Sequence, residues 1–129
     1  MDTREIKIAA ELFWRVNIPP SKIVMRFGFY GRSFTLTSSS CLTPGCALSG
    51  TSNPGPCTQT GRYLAYYELE SVLNNNPSIK PIHDEDAAVM YFVWNNNQWI
   101  SYDNAATYKQ KVDWANSVGL GGCYDLGIR

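Results

Sequence analysis

The sequence is poor in the residues from which metal sites are built. It holds one histidine, His83, and its four cysteines include no Cys-x-x-Cys pair. Structural zinc sites combine cysteine and histidine at short, regular spacings, so this composition argues against a bound metal. We therefore predict neither a metal site nor a cofactor.

The sequence also lacks an excess of charge of either sign and a long apolar run. Its 11 Lys and Arg residues balance 11 Asp and Glu residues, so no basic field would attract nucleic acid or an anionic membrane. Near the N terminus Glu11 breaks the apolar stretch, which leaves neither the core of a signal peptide nor the length of a membrane span. We predict no nucleic-acid partner, no membrane partner and no signal peptide in these residues.

Aromatic residues and cysteines are what the sequence does offer. Aromatic residues make up 13% of the chain and hydrophobic residues 44%, which excludes a disordered tail and suits a core or a flat ligand-binding surface. Cys41, Cys46 and Cys57 lie within seventeen residues of loop-like sequence, so we expect a disulfide and an oxidising compartment. A disulfide without an export signal indicates a piece of a longer, secreted protein.

The first half reads as a helix, a strand and a long loop. Apolar spacing predicts a helix over residues 3–16, with Asp2 as its cap. Residues 22–30 form a dense apolar run that predicts one buried strand. Residues 35–61 are rich in Ser, Thr, Gly and Pro and predict an irregular loop that needs a tether.

The cysteines are the expected tether of this loop. A Cys41–Cys57 bridge would enclose the most chain, whereas a Cys46–Cys57 bridge would fit a tight Pro-Gly turn. We expect one of these two pairings. Cys123 lies far along the chain on a predicted strand, and we expect it to be a buried thiol.

The second half predicts a short helix over 63–73, a hairpin and a final helix and strand. The hairpin strands are residues 88–94 and 98–102, joined by three asparagines that tolerate the left-handed turn conformation. Asp103 or Asn104 caps the final helix, and Gly119 ends it. A strand over 120–126 follows. The acidic run at 83–86 has no motif spacing, and we interpret it as a solvated loop.

The outer elements alternate helix, strand, helix, strand, as in a parallel α/β fold, while the long excursion between them forms an α+β unit. Two strands cannot make a parallel sheet that is covered on both faces. We infer that most of the barrel or sheet to which they belong lies outside this sequence.

Four stretches occur in the order known from one enzyme family. The Phe-Tyr-Gly-Arg-Ser-Phe run at 29–34 resembles the seventh barrel strand of family 18 glycoside hydrolases, the chitinases. Residues 64–68 resemble the helix start of that family's insertion domain, 97–103 its last strand, and 109–122 the helix leading to barrel strand eight. The cysteine-rich segment 38–58 resembles fungal secreted members, of class V type, and the chitinase-like subunits of fungal killer toxins.

The resemblance implies the last quarter of an incomplete TIM (β/α)8 barrel with an inserted α+β domain. Residues 1–33 and 105–129 would belong to the barrel and residues 34–104 to the insertion. A whole barrel takes at least about 200 residues. The family hydrolyses β-1,4-linked N-acetylglucosamine, with the acetamido group of the substrate acting as the nucleophile. Its Asp-x-x-Asp-x-Asp-x-Glu motif, which ends in the catalytic acid, is absent from this sequence.

The resemblance also implies site residues. The tyrosine and arginine that match Tyr30 and Arg32 line the substrate cleft, and strand alternation places both on one face. Glu68 matches an insertion-domain glutamate that reaches bound sugars; an ordinary exposed helix carboxylate is the alternative. Two departures stand out, because Arg26 replaces a glycine and should point toward the barrel interior, and Leu126 stands where the family has a sugar-binding tryptophan.

We therefore expect a fragment of a secreted chitinase-like protein that binds chitin or N-acetylglucosamine oligosaccharides and contributes no catalytic residue. Whether such a chain is an enzyme is left open by the missing motif. Two other functions remain open: a non-catalytic carbohydrate-binding module, and a killer-toxin subunit that docks on chitin. Nothing in the sequence indicates an oligomeric state.

Overall fold

A computed structural model describes residues 3–126, which form two β-sheets and three α-helices. The helices are α1 (Thr3–Arg15), α2 (Tyr66–Asn75) and α3 (Ala105–Val118), with a short 3-10 helix at Pro20–Lys22. The strands are β1 (Val24–Gly28), β2 (Tyr30–Leu36), β3 (Leu48–Thr51), β4 (Tyr63–Ala65), β5 (Ile82–Asp84), β6 (Val89–Trp94), β7 (Gln98–Tyr102) and β8 (Gly122–Leu126). No helix within these residues is long and apolar enough to cross a membrane.

Six of the strands form an antiparallel sheet in the order β3-β2-β7-β6-β5, with β4 paired to the first part of β2. Along β2, Arg32 lies opposite Ser101 and Phe34 lies opposite Trp99. Ser33, between them, is fully buried. Because side chains alternate along a strand, Arg32 and Phe34 point away from the buried face.

The buried face of this sheet and α2 make the main hydrophobic core. Ten of the twelve buried hydrophobic residues of the described chain lie between Leu36 and Tyr102. The cluster at its centre consists of Leu64, Leu69, Phe92, Trp94, Ile100 and Tyr102. The segment that the sequence marked as a separate α+β unit therefore closes a core of its own.

The second sheet contains only β1 and β8 among the described residues. These strands are parallel, with Arg26 opposite Tyr124. Val24 on β1 is 49% exposed, and three large apolar side chains of α1, Ile8, Leu12 and Phe13, are exposed as well, as is Val16 just after its end. Parallel sheets are ordinarily covered on both faces, whereas this pair and the helix beside it leave apolar side chains exposed.

The apolar run at 22–30 is not one strand, as predicted, but two strands from different sheets. The chain bends at Phe29, between the end of β1 and the start of β2. The hydroxyl of Tyr108 donates to the carbonyl oxygen of Gly28 over 2.9 Å, and the backbone N–H of Tyr66 donates to that of Phe29 over 3.1 Å. Both contacts come from distant helices, so the local pattern could not reveal the bend.

The hairpin and the last helix confirm their predictions. Strands β6 and β7 pair around Asn95 and Asn96, which have φ values of 48° and 67°. The side chain of Asn104 accepts from the N–H of Thr107 and caps α3, and Gly119 ends the helix in the left-handed region. The predicted helix at 63–73 begins later, because its first residues form β4 against β2.

The predicted cysteine pairings are wrong. The disulfide joins Cys41 to Cys46, and Cys57 is free and exposed. Leu48 pairs with Leu36 on β2, so the chain between them folds back and brings the first two cysteines together at its tip. Cys57 lies in the loop before β4, beside α2. Its side chain is hydrogen-bonded to the hydroxyl of Tyr67 and raises the pKa of that hydroxyl.

Two smaller expectations also need correction. Cys123 is exposed rather than buried, because β8 belongs to the open sheet. The acidic run is not wholly a loop: His83 and Asp84 lie on the short strand β5, and His83 contacts Gln110 of α3. Asp2, the expected cap of α1, lies outside the described residues. Within those residues, no group of His, Cys, Asp and Glu is arranged to hold a metal ion.

The uneven distribution of buried surface predicts uneven protection of the backbone. Because β6 and β7 lie over a closed core while α1 and β1 leave apolar side chains exposed, amide hydrogens of residues 87–102 should exchange more slowly than those of residues 3–30. Hydrogen exchange followed by mass spectrometry would test this. Equal protection of the two segments would contradict this and would show that the apolar surface of the parallel pair is covered in solution.

Candidate functional site

The two sheets meet at a corner that Tyr30 occupies. A Cβ atom added to Gly28 would collide with the ring of Tyr30, so this ring lies across the Gly28 backbone. Residues 24, 26 and 28 share one face of β1 because side chains alternate. The Tyr30 ring therefore covers the same face of β1 that Arg26 occupies, and only glycine at position 28 leaves room for it.

A strip of aromatic side chains continues from this corner across the six-stranded sheet. Tyr30 packs against Tyr63 with ring centroids 5.8 Å apart, and the guanidinium of Arg32 lies 5.4 Å from the centroid of the Tyr30 ring. Further along the same face, the rings of Phe34 and Trp99 lie 6.4 Å apart. Flat aromatic surfaces beside a planar cation are well suited to the faces of sugar rings and their polar edges.

A cavity of about 450 Å³ opens beside this corner. Its lining includes Arg26, Tyr30 and Arg32, together with Asp103, which precedes α3, and Lys111 on that helix. Lys111 is buried, and its Nζ lies 2.6 Å from Oδ1 of Asp103. The pair neutralises its own charges inside the wall, since a buried charge without a partner would be strongly destabilising.

Tyr102 also lines this cavity and stays protonated at all ordinary pH values. Burial, followed by the charges of Tyr66 and Glu70, raises the pKa of the Tyr102 hydroxyl to about 12. The phenol therefore adds no negative charge to the wall of the cavity.

Glu68 is neither an exposed helix carboxylate nor open to a ligand. Its side chain is 3% exposed. Oε1 accepts from the N–H groups of Cys57 and Thr58 over 2.7 and 2.9 Å, and Oε2 accepts from the N–H of Ala65 over 2.8 Å. The carboxylate thus fastens the loop before β4 to the start of α2, and Gly55 leaves it the necessary space.

These contacts outweigh the cost of burying the charge. Burial alone would raise the pKa of Glu68, but the backbone donors of Thr58, Ala65 and Cys57 lower it below the ordinary value. Hydrogen bonds to the ionised form favour that form. Glu68 is therefore a charged tether that holds the loop in place of the disulfide expected from the sequence.

The structure brings two of the three expected site residues together. Tyr30 and Arg32 share the corner. Glu68 lies apart from them, where the loop before β4 meets the start of α2. Sequence reasoning missed Phe34, although alternation along the strand from Arg32 could have placed it on the same face. It also missed Tyr63, which joins the strip only through the pairing of β4 with β2 and has no local signal.

Two of the four tryptophans, Trp94 and Trp99, pack against neighbouring aromatic rings. Trp94 is buried against Phe92, and Trp99 stacks on Tyr91 with ring centroids 5.8 Å apart. Trp14 and Trp114 are partly buried. Of the four, Trp99 alone has a ring contact with the aromatic strip among the described residues, through Phe34.

Comparison with known proteins agrees with the arrangement of the strands. The family profile "Glycosyl hydrolases family 18" matches residues 4–124. The chain belongs to glycosyl hydrolase family 18. Mouse chitotriosidase-1 is 35% identical over 119 residues, which are 92% of this chain and 24% of that protein.

Solved structures of family 18 chitinases, which are TIM-barrel proteins, superpose closely on the chain. Human YKL-39, a pseudo-chitinase with retained chitooligosaccharide binding, is 34% identical with a TM-score of 0.85 over 95% of this chain and 32% of that one. The group IV chitinase of Ostrinia furnacalis, solved in complex with allosamidin, is 32% identical with a TM-score of 0.86 over 93% of this chain and 32% of that one.

The chain spans about a quarter to a third of the length of these relatives. The profile match and the identity to chitotriosidase-1 confirm the predicted family. The fungal class V type stays a prediction.

The role of Glu68 as a tether predicts a loss of stability when its charge is removed. Glu68→Gln should lower the free energy of unfolding by roughly 1–3 kcal/mol, because a buried donor is left without an acceptor. Glu11→Gln, at an exposed position on α1, is the matched control and should change stability little. Urea titrations of the three proteins at neutral pH would measure the difference.

The hydrogen bonds of Glu68 also make the free energy of unfolding depend on pH. Because the pKa of Glu68 is lower in the folded protein than in the unfolded chain, its contribution is full above the unfolded pKa and is lost as the pH falls through the folded pKa. The difference between wild type and Glu68→Gln should therefore shrink in acid. A difference that stays constant from neutral pH down to strong acid would contradict the assignment.

Proposed function

We propose that this chain supplies one wall of a chitooligosaccharide-binding cleft in a chitinase-like family 18 protein. In this interpretation α1, β1, α3 and β8 are the last quarter of a TIM barrel, and the six-stranded sheet with α2 is the α+β insertion. The sequence placed the first boundary between barrel and insertion at 33/34. A boundary at Phe29 fits the strands better, because β2 of the antiparallel sheet already begins at Tyr30. The other boundary, at 104/105, coincides with the start of α3.

The observation that carries the proposal is the corner itself. Barrel enzymes place their sites at the carboxyl ends of the strands, and Tyr30 and Arg32 follow directly after the end of β1. We infer that the Tyr30 ring, extended by Tyr63, contacts the face of a sugar ring. Arg32, held over the Tyr30 ring, would donate to sugar oxygens. YKL-39, which resembles the chain over this whole region, retains chitooligosaccharide binding.

Glu68 has an indirect role in this proposal. With its oxygens turned to backbone donors, it would fix the loop before β4, and β4 in turn carries Tyr63. It would thus act as a positioning residue for the aromatic strip rather than as the sugar contact that the resemblance implied.

Hydrolysis is proposed only for a complete parent protein. Such a protein would cleave β-1,4-N-acetylglucosamine linkages with retention, using the acetamido group of the substrate and a catalytic acid that lies outside this sequence. The disulfide between Cys41 and Cys46 supports secretion of that parent, because disulfides persist in oxidising compartments.

A non-catalytic chitin-binding module is the second candidate function. It is favoured by one observation, that residues 34–104 contain most of the buried hydrophobic residues and include most of the aromatic strip. A killer-toxin subunit would also bind chitin without hydrolysing it, and it would use that binding to dock on a cell wall.

Because the residue that protonates the leaving oxygen is absent, the chain alone should show no chitinase activity. A general acid typically contributes roughly 10² to 10⁴ in rate. Purified chain incubated with a fluorogenic chitobioside should release no more fluorophore than buffer. Release that a family 18 inhibitor such as allosamidin abolishes would contradict the proposal.

Binding should depend on the corner. N-acetylchitotetraose should perturb the amide NMR signals of Gly28, Tyr30 and Arg32, and Arg32→Ala should weaken the titrated affinity roughly tenfold, the size of one lost charge-assisted hydrogen bond. Arg62→Ala removes another exposed arginine, one outside the cavity, and should leave the affinity unchanged. Equal effects of both variants would mean that Arg32 is an ordinary solvated charge.

A further inference from the structure

We propose that Arg26, paired with Tyr124, adds to the cleft a subsite for a carboxylate group, so that the preferred ligand is an acidic saccharide rather than neutral chitin alone. This inference rests on the proposed binding role of Tyr30 and Arg32 and narrows its substrate class. It comes from the open face of β1 and from the charges that line the cavity beside it.

Arg26 has a defined place on the open sheet. It lies opposite Tyr124 in the parallel register of β1 and β8, and its guanidinium carbon is 5.3 Å from the centroid of the Tyr124 ring. A guanidinium over an aromatic face is attracted to the ring and keeps its in-plane N–H donors for other partners. Tyr124 thus holds Arg26 on this face without consuming its hydrogen bonds.

Arg26 is also a neighbour of the proposed sugar-binding corner. Gly28 lies two residues further along the same face, roughly 7 Å away at the usual rise of a strand. The ring of Tyr30 covers Gly28, and Arg32 lies over that ring. The face therefore alternates tyrosine and arginine: Tyr124, Arg26, Tyr30, Arg32.

The charges of the cavity favour an anion. Its lining contains three basic side chains, Arg26, Arg32 and Lys111, and one carboxylate, Asp103. Lys111 and Asp103 neutralise one another. Among the side chains that the structure describes, those of residues 4–124, neither arginine forms an ion pair. Two arginines with unused donors thus flank one aromatic ring.

A sugar acid fits this pattern better than a neutral sugar or a free anion. The fork of a guanidinium matches the two oxygens of a carboxylate, and such pairs are the stronger hydrogen bonds in proteins. The ring of Tyr30 between the arginines supplies the surface on which a pyranose ring packs. A saccharide that carries a carboxylate next to an N-acetylglucosamine unit would use both features.

The test compares two tetrasaccharides on the 129-residue chain. One is neutral N-acetylchitotetraose, and the other is the hyaluronan tetrasaccharide, which alternates N-acetylglucosamine with glucuronate. Calorimetric titration should give roughly tenfold tighter binding of the acidic ligand, the size of one charge-assisted contact. Added salt should reduce this preference, since the contact is partly exposed.

Arg26→Gln should abolish the preference, because the affinity for the acidic ligand should fall to about that for the neutral one. Arg26→Lys keeps the charge and loses the fork, so it should retain only part of the preference. Arg62→Gln is the matched control for net charge and should retain all of it. Circular dichroism of each variant would verify that the fold is kept.

Three results would overturn the inference. If wild type binds the neutral ligand at least as tightly as the acidic one, the subsite does not exist, while the proposed function stands. If Arg62→Gln lowers the preference as much as Arg26→Gln does, the attraction is general and not local. If neither ligand binds, the proposed function fails together with the inference.

Discussion

The bend at Phe29 is the constraint on which the rest of the site depends. It joins a strand of the open parallel sheet to a strand of the closed antiparallel sheet, and it is held from both sides. The hydroxyl of Tyr108 binds the carbonyl oxygen of Gly28, and the start of α2 binds that of Phe29. The ring of Tyr108 also packs edge-on against Phe27 and Phe29. Without this clamp Tyr30 would not turn back over Gly28, and the faces of the two sheets would not form one surface.

The two sheets on either side of the bend are stabilised in different ways. The antiparallel sheet covers one face with α2 and fastens its long loop by buried polar contacts. Glu68 receives three backbone donors, and Gln98 accepts from the N–H of Asn53 over 2.7 Å. The parallel pair has α1 and α3 beside it and leaves apolar surface open. Stability therefore concentrates on the side that carries the aromatic strip, while the parallel pair supplies Arg26 and Gly28.

Elements whose signals are local could be predicted from the sequence. The asparagine turn, the Asn104 cap and the Gly119 stop each act within a few residues, and the hairpin and α3 follow them. Contacts between distant segments could not be predicted. The bend at Phe29 depends on Tyr108, eighty residues away, and the tether of the loop is a carboxylate where cysteines were the obvious choice. The motif singled out Tyr30 and Arg32 as site candidates, whereas placing Tyr63 beside them required knowledge of which strand pairs with β2.

The open edges of the parallel pair give Arg26 and Gly28 a second significance. Within residues 3–126, neither β1 nor β8 has a partner on its outer side, so both present unpaired N–H and C=O groups to solvent. Such edges are templates for intermolecular strand pairing. The apolar run at 22–30 would be a strong aggregation segment, but a charge and a glycine in its middle interrupt the β-forming sequence. Arg26 thus acts as a gatekeeper against self-assembly whenever the outer edge of β1 has no partner strand.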